Sequence, residues 1–153
     1  MDAIQVGDPA PDFALDTADG RTVRLSEFRG RRNVVLFFYP KDETAGCTVE
    51  ACTFRDTYQD FVDAGAEVIG VSDDDGPSHA RFAQRHRLQM VLVSDPTGQV
   101  RAQYGVKRAL GIFPGRVTFL IDRQGVVRHI VRGRLSFKRH AHESLEKLRA
   151  LPA

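Results

Sequence analysis

Cysteine is scarce in this chain: there are two in 153 residues, Cys47 and Cys52. That excludes a disulfide-dense secreted scaffold. A chain of this length buries about two thirds of its unfolded surface and needs no such staples. Long apolar runs are missing too. The longest, Val34 to Tyr39, suits a buried strand and falls far short of the roughly 20 residues that span a bilayer. The opening residues, MDAIQVGDPAPDF, show neither the basic stretch nor the apolar core of a secretory signal. A cytoplasmic location, with no membrane partner, is therefore the expectation. In a reducing compartment two cysteines point to catalytic, redox or metal chemistry rather than to a structural bridge. Repeats, low-complexity tracts and Pro/Gly/Ser linkers are also absent, so one domain over residues 1–153 is expected. A composition 42% hydrophobic and 27% charged excludes a disordered chain.

The net charge of +2 hides an asymmetry. Residues 1–78 carry 7 basic and 16 acidic side chains, whereas residues 79–153 carry 15 and 4. Such an imbalance can mark a nucleic-acid face. No nucleic-acid-binding motif accompanies it, and a single domain would fold the halves against each other, so no nucleic-acid partner is expected. Arg128, Arg132 and Arg134 read as a solvated strand face.

Hydrophobic periodicity outlines the elements. Residues 13–24 read as a hairpin turning at Ala18-Asp19-Gly20. Strands are expected at Asn33–Tyr39, Glu67–Val71 and Val91–Val93. Helices are expected over 47–64, from Pro77 through His86, and over 96–104. Val117–Ile121 and Val126–Val131 flank a Gly-containing turn and read as a second hairpin. A last amphipathic helix covers 140–151, with Leu145 and Leu148 inward. Strand–helix alternation implies parallel strands with right-handed crossovers, and the late hairpin adds antiparallel ones. The fold class is α/β: a mixed β-sheet sandwiched by helices, with an N-terminal β-hairpin.

The buried strand ending at Tyr39 leads into a polar loop, and a helix begins near Cys47. Ligands of α/β sheets bind outside the carboxyl ends of strands. In the first helical turn, free N–H groups and the helix dipole favour an anion, and the thiolate is the reactive form of cysteine. Cys52 lies five residues on. In ideal helix that spacing rises about 7.5 Å and leaves the Cα atoms roughly 8.6 Å apart, beyond the about 4.4–6.8 Å of a disulfide. A bond between the two sulfurs therefore requires the first turns to unwind.

Pro40-x-x-x-Thr44-x-x-Cys47 resembles the active-site motif of peroxiredoxins. The longer string FFYPKDETAGCTVEACTFRD is similar to the bacterioferritin comigratory protein, or peroxiredoxin Q, subfamily. The likeness extends to Val6–Phe13 and to Arg116–Asp122. The resemblance implies a thioredoxin-like fold and thiol-dependent reduction of hydrogen peroxide and alkyl hydroperoxides. It implies recycling by thioredoxin or a similar dithiol reductant, a monomeric chain and no cofactor. By position it makes Cys47 the peroxidatic cysteine, which becomes a sulfenic acid, and Cys52 the resolving cysteine, which condenses with it to a transient disulfide. Thr44 matches the hydroxyl that bonds thiolate and peroxide, Pro40 the residue that shields the sulfur, and Arg116 the guanidinium facing it. Ala45 departs from the pattern, which usually has proline there.

Other readings of these residues are weaker. Glu50 and Arg55 sit on the helix near the site and suit ion pairs. His140 and His142 with the two cysteines could supply four zinc ligands, but a helix points Cys47 and Cys52 apart, so no metal is expected. A disulfide oxidoreductase of the thioredoxin type would need Cys-x-x-Cys, and a binding module built on the basic half would need salt-dependent affinity.

Overall fold

A computed structural model describes residues 4–42, 44–106, 116–133 and 137–152, the side chain of Phe137 excepted. Within these residues the strands are β1 (Ala14–Thr17), β2 (Thr22–Arg24), β3 (Asn33–Phe38), β4 (Ala66–Ser72), β5 (Val91–Ser94), β6 (Val117–Ile121) and β7 (Val127–Arg132). The helices are α1 (Ala45–Asp63), α2 (Gly76–His86), α3 (Gln99–Gln103) and α4 (Phe137–Arg149). The strands form one mixed sheet in the order β2-β1-β5-β4-β3-β6-β7. β3, β4 and β5 run parallel, and β1–β2, β1–β5, β3–β6 and β6–β7 pair antiparallel.

Both faces of β3 are buried, as its unbroken apolar run demands. Val35, Phe37 and Tyr39 point to one side, where they join Cys47, Ala51 and Phe54 of α1, Phe82 of α2 and Leu145 and Leu148 of α4. Val34, Leu36 and Phe38 point to the other side, against Phe13, Val100 and Tyr104. The long helices thus cover one face. The opposite face is covered by the N-terminal segment, a 3₁₀ turn at Leu25–Phe28 and the short α3. Gly70 in β4 lets this packing close. A Cβ there would meet Phe37 at 2.6 Å, and Phe37 stacks on Phe54 of α1 with ring centroids 4.4 Å apart.

Three elements start two residues or more from where the sequence places them. α1 begins at Ala45, so Cys47 is its third residue rather than its start. α4 begins at Phe137, three residues early, and this earlier turn brings His140 inside the helix. α3 is confined to Gln99–Gln103 because Gly98, at φ +71°, turns the chain just before it. The charged halves meet across the fold, with Glu50 against Arg116 and Asp60 against Arg149. Arg128 and Arg132 are exposed, and Arg128 pairs with Asp122. Arg134 lies outside the described residues.

Candidate active site

The site forms at the carboxyl end of β3. Pro40, half-buried, opens the β3–α1 loop. Asp42 anchors that loop from below. Its carboxylate accepts from Tyr39 Oη at 2.5 Å and Ser78 Oγ at 2.8 Å, and lies 2.8 Å from His79 Nδ1. Its backbone N–H donates to Asp74. Burial pushes the Asp42 carboxyl up, but the bonds from His79, Tyr39 and Ser78 outweigh it and hold the group below the usual carboxylate range. The other ring nitrogen, His79 Nε2, lies 3.1 Å from the Val93 carbonyl. The first half of the loop is therefore tied to α2 and β5.

Thr44 follows as the N-cap of α1, with an extended backbone at φ −77°, ψ 152°. Its carbonyl accepts from Thr48 N–H at 2.8 Å. The N–H groups of Ala45, Gly46 and Cys47 precede that first helical bond and lie at the positive end of the helix dipole. No acidic side chain occupies this first turn. Cys47 sits there almost completely buried, at 1% exposure.

Arg116 approaches from the start of β6, which the antiparallel register with β3 places beside the loop. Its Nη2 lies 3.3 Å from Cys47 Sγ, and its Nη1 donates to Glu50 Oε1 at 2.6 Å. One guanidinium fork thus spans two groups on the same helix face, since Glu50 follows Cys47 by three residues. Glu50 is fully buried. Burial pushes its carboxyl up to about 8, against the lowering pull of Arg116. Behind Glu50 stands His140 of α4, also fully buried. Its Nδ1 is 2.7 Å from Thr118 Oγ1, and its Nε2 is 2.9 Å from the Gly133 carbonyl.

The structure brings Cys47 and Arg116 together. The Thr44 hydroxyl donates to the Lys41 carbonyl at 3.0 Å, so its one hydrogen must leave that bond to reach the sulfur. Cys52 is half-buried on α1 and unbonded to Cys47, as intact helix requires. Arg55 pairs with Asp56 and donates to the His86 carbonyl, joining α1 to α2. His142 is exposed while His140 is buried. The histidine–threonine support behind Glu50 and the Asp42–His79 anchor had no signature in the sequence beyond a buried-strand neighbour and a loop aspartate.

A nucleophilic sulfur, a fixed cation and the N–H groups of a helix's first turn, gathered in one buried site, suit displacement on a polar oxygen substrate. The AhpC/TSA family model matches residues 6–130. The chain belongs to that family. It is 46% identical over 149 residues to the chloroplastic peroxiredoxin Q of Oryza sativa subsp. japonica, covering 97% of this chain and 68% of the rice protein. The crystal structure of peroxidoxin BcpB from Mycobacterium tuberculosis superposes with a TM-score of 0.91 at 40% identity, covering 98% of this chain and 99% of that one. A bacterioferritin comigratory protein of Xanthomonas campestris, studied for its alkyl peroxide reduction, matches with a TM-score of 0.83 at 30% identity over 90% of both chains. This chain is thus a peroxiredoxin with the thioredoxin-like fold.

Ala45 is the first residue of α1 in this peroxiredoxin and is exposed. Proline suits that position, and the extended Thr44 already has the backbone that precedes proline. Ala45→Pro should therefore stabilise by about 0.4–1 kcal/mol through the unfolded chain, or roughly 1–4 °C in Tm for a domain of this size. Differential scanning calorimetry checks this. A loss of stability would show that the loop geometry excludes proline.

Proposed function

We propose that this peroxiredoxin reduces hydrogen peroxide and organic hydroperoxides through a two-cysteine cycle. The Cys47 thiolate attacks the peroxide: an S–O bond forms, the O–O bond breaks, and charge develops on the leaving oxygen. Arg116, the N–H groups of Gly46 and Cys47, and the Thr44 hydroxyl are the donors for that charge. The Cys52 thiol then displaces water from the sulfenic acid, giving a Cys47–Cys52 disulfide before further oxidation can occur. An external dithiol of the thioredoxin type returns both thiols by exchange. Pro40 would shield the pocket at the loop entrance. The observation that carries this reading is the 3.3 Å contact of Arg116 Nη2 with Cys47 Sγ in the first turn of a helix that also bears Cys52.

The cycle closes within one chain, which favours a monomer acting alone. It needs a reducing compartment to regenerate the thiols, which favours the cytoplasm. Peroxide-dependent consumption of a thioredoxin-type reductant tests the activity. The same protein should not reduce insulin without peroxide. Insulin reduction without peroxide would favour a general disulfide oxidoreductase instead.

Arg116→Ala should slow Cys47 oxidation by about 10²–10³, the usual cost of one donor at a developing oxyanion. Removing one partner of a buried ion pair also destabilises by about 3–5 kcal/mol. Arg116→Lys, which keeps the charge and loses the fork, is therefore the companion variant and should also be slowed. Rapid mixing with peroxide followed by thiol counting reads both. Unchanged rates in the folded variants would remove Arg116 from the chemistry.

A further inference from the structure

Glu50 and His140 are fully buried side chains that the cycle above does not use. Glu50 Oε1 is held by Arg116, but Oε2 is buried without a hydrogen-bond partner among the described residues and faces His140 Nδ1 at 3.5 Å. The imidazole is fixed from both sides. Its Nε2 lies 2.9 Å from the Gly133 carbonyl, which can only accept, so Nε2 carries a hydrogen. Its Nδ1 lies 2.7 Å from Thr118 Oγ1 and, in a neutral ring, accepts that hydroxyl's hydrogen. Two acceptors, Oε2 and Nδ1, then oppose each other in a site closed to water. The one lone pair of Nδ1 is taken by Thr118, so a charged Oε2 would face it with no donor, whereas a proton on Glu50 removes that charge.

We propose that Glu50 is protonated, beside a neutral His140, while Cys47 is a thiolate, and that Glu50 gives this proton up as Cys47 becomes a sulfenic acid. The inference rests on the peroxidase reading. The charge count supports it. In the reduced enzyme the Arg116 cation faces the Cys47 thiolate, and the protonated pair is neutral. Peroxide attack forms the S–O bond and breaks the O–O bond, and the negative charge leaves with the departing oxygen. That oxygen takes up one proton to become water or an alcohol. Glu50 loses one and becomes the carboxylate, 2.6 Å from Arg116, that balances the cation. Counted over Arg116, Cys47, Glu50 and His140, the charge sums to zero at both stages, which avoids the cost of an uncompensated buried ion among them.

The surroundings place the proton on Glu50 rather than on His140. Glu50 faces Arg116 from the start of β6, His140 from α4 and Cys47 on its own helix. Burial outweighs the arginine and pushes the Glu50 carboxyl up to about 8. Burial pushes His140 down to about 4; the Gly133 carbonyl opposes this, Arg116 and Arg139 add to it, and Glu143 opposes it. Glu50 and His140 touch no reacting atom in this structure. They are positioning residues that act on Cys47 through Arg116 and through the charge of the pocket.

The test uses Cys52→Ser protein, which halts at the sulfenic acid, with one equivalent of hydrogen peroxide in weak buffer near pH 7. Free thiol, proton uptake by an indicator dye, and the infrared difference spectrum are read together. The expected result is loss of the Cys47 thiol with almost no proton taken from the medium. A protonated-carboxyl band should disappear and a carboxylate band appear. Adding Glu50→Gln should remove that infrared change and raise uptake to about one proton per thiol oxidised. If the thiol is oxidised and no protonated-carboxyl band is lost, the inference fails, whether or not the glutamine variant folds. It fails equally if the glutamine variant takes up no proton, because Cys47 itself then supplied it. If no thiol is oxidised, the peroxidase reading fails and takes this inference with it.

Discussion

Cys47→Ser should abolish peroxide consumption while leaving the fold in place. The sulfur is the strongest nucleophile among the described residues in the first turn of α1, and a serine hydroxyl is a far weaker one at neutral pH. Removing a catalytic nucleophile elsewhere costs about 10⁶ in turnover, so a loss on the order of 10⁴-fold or more is expected here. The structural cost should be small. Serine fits the volume at 1% exposure, and its oxygen can accept from Arg116 Nη2 as the sulfur does. A change within about 1 kcal/mol is expected for such a near-isosteric swap. Peroxide assays alongside thermal melts separate the two effects. Turnover retained by a folded Cys47→Ser protein would remove Cys47 from the mechanism.

Cys52→Ser should divide the reaction in two. The first oxidation needs only Cys47 and its donors, so it should survive within a few-fold. Resolution needs the second thiol. An internal thiol acts at an effective concentration on the order of millimolar, against about 10 µM of an added dithiol protein, so steady turnover should fall on the order of 100-fold. The sulfenic acid should persist and pass to sulfinic acid at lower peroxide. In the parent, the bridge cannot form while α1 is intact, because both cysteines lie within that helix. Ideal helix holds their Cα atoms roughly 8.6 Å apart, beyond disulfide reach. Oxidation should therefore lower amide protection across residues 45–56 by on the order of 10²-fold. It should also lower Tm by about 2–8 °C, as a loss of about 1–2 kcal/mol would in a domain of this size. The serine variant should show neither change. Unchanged exchange in the oxidised parent would mean that the sulfurs do not meet by unwinding of α1.

The asymmetric hold on the loop fits this picture. Asp42 is tied to Tyr39, Ser78 and His79, while Thr44 and Ala45 are exposed and the first turn of α1 has no side-chain cap. Unwinding of the first turns can leave the Asp42 anchor in place, and what it must break is the hold of Arg116 on Cys47 and Glu50.

Much of this was legible in the sequence. β3 shows as an apolar run because both of its faces are covered, and each hairpin shows through its glycine turn. The cysteine loop is legible because a strand end, a proline, a threonine and a helix start have fixed spacings within eight residues. The supports behind it are not, because nothing local marks them. Glu50 meets Arg116 across 66 residues, and Thr118 meets His140 across 22. His140 stood out only as a possible metal ligand. Its position is set by the extra turn of α4 and by packing of α4 on α1, which helical periodicity alone does not place.

The proposed cycle turns on a bond between Cys47 and Cys52 made by peroxide and unmade by a dithiol. Intact mass and free-thiol counting after one equivalent of peroxide test it most directly. The expected product is a chain lighter by two hydrogens, with no free thiol, no change in assembly size, and full recovery of both thiols with a thioredoxin-type reductant. Two free thiols after peroxide is consumed, or bridges only between chains, would contradict it.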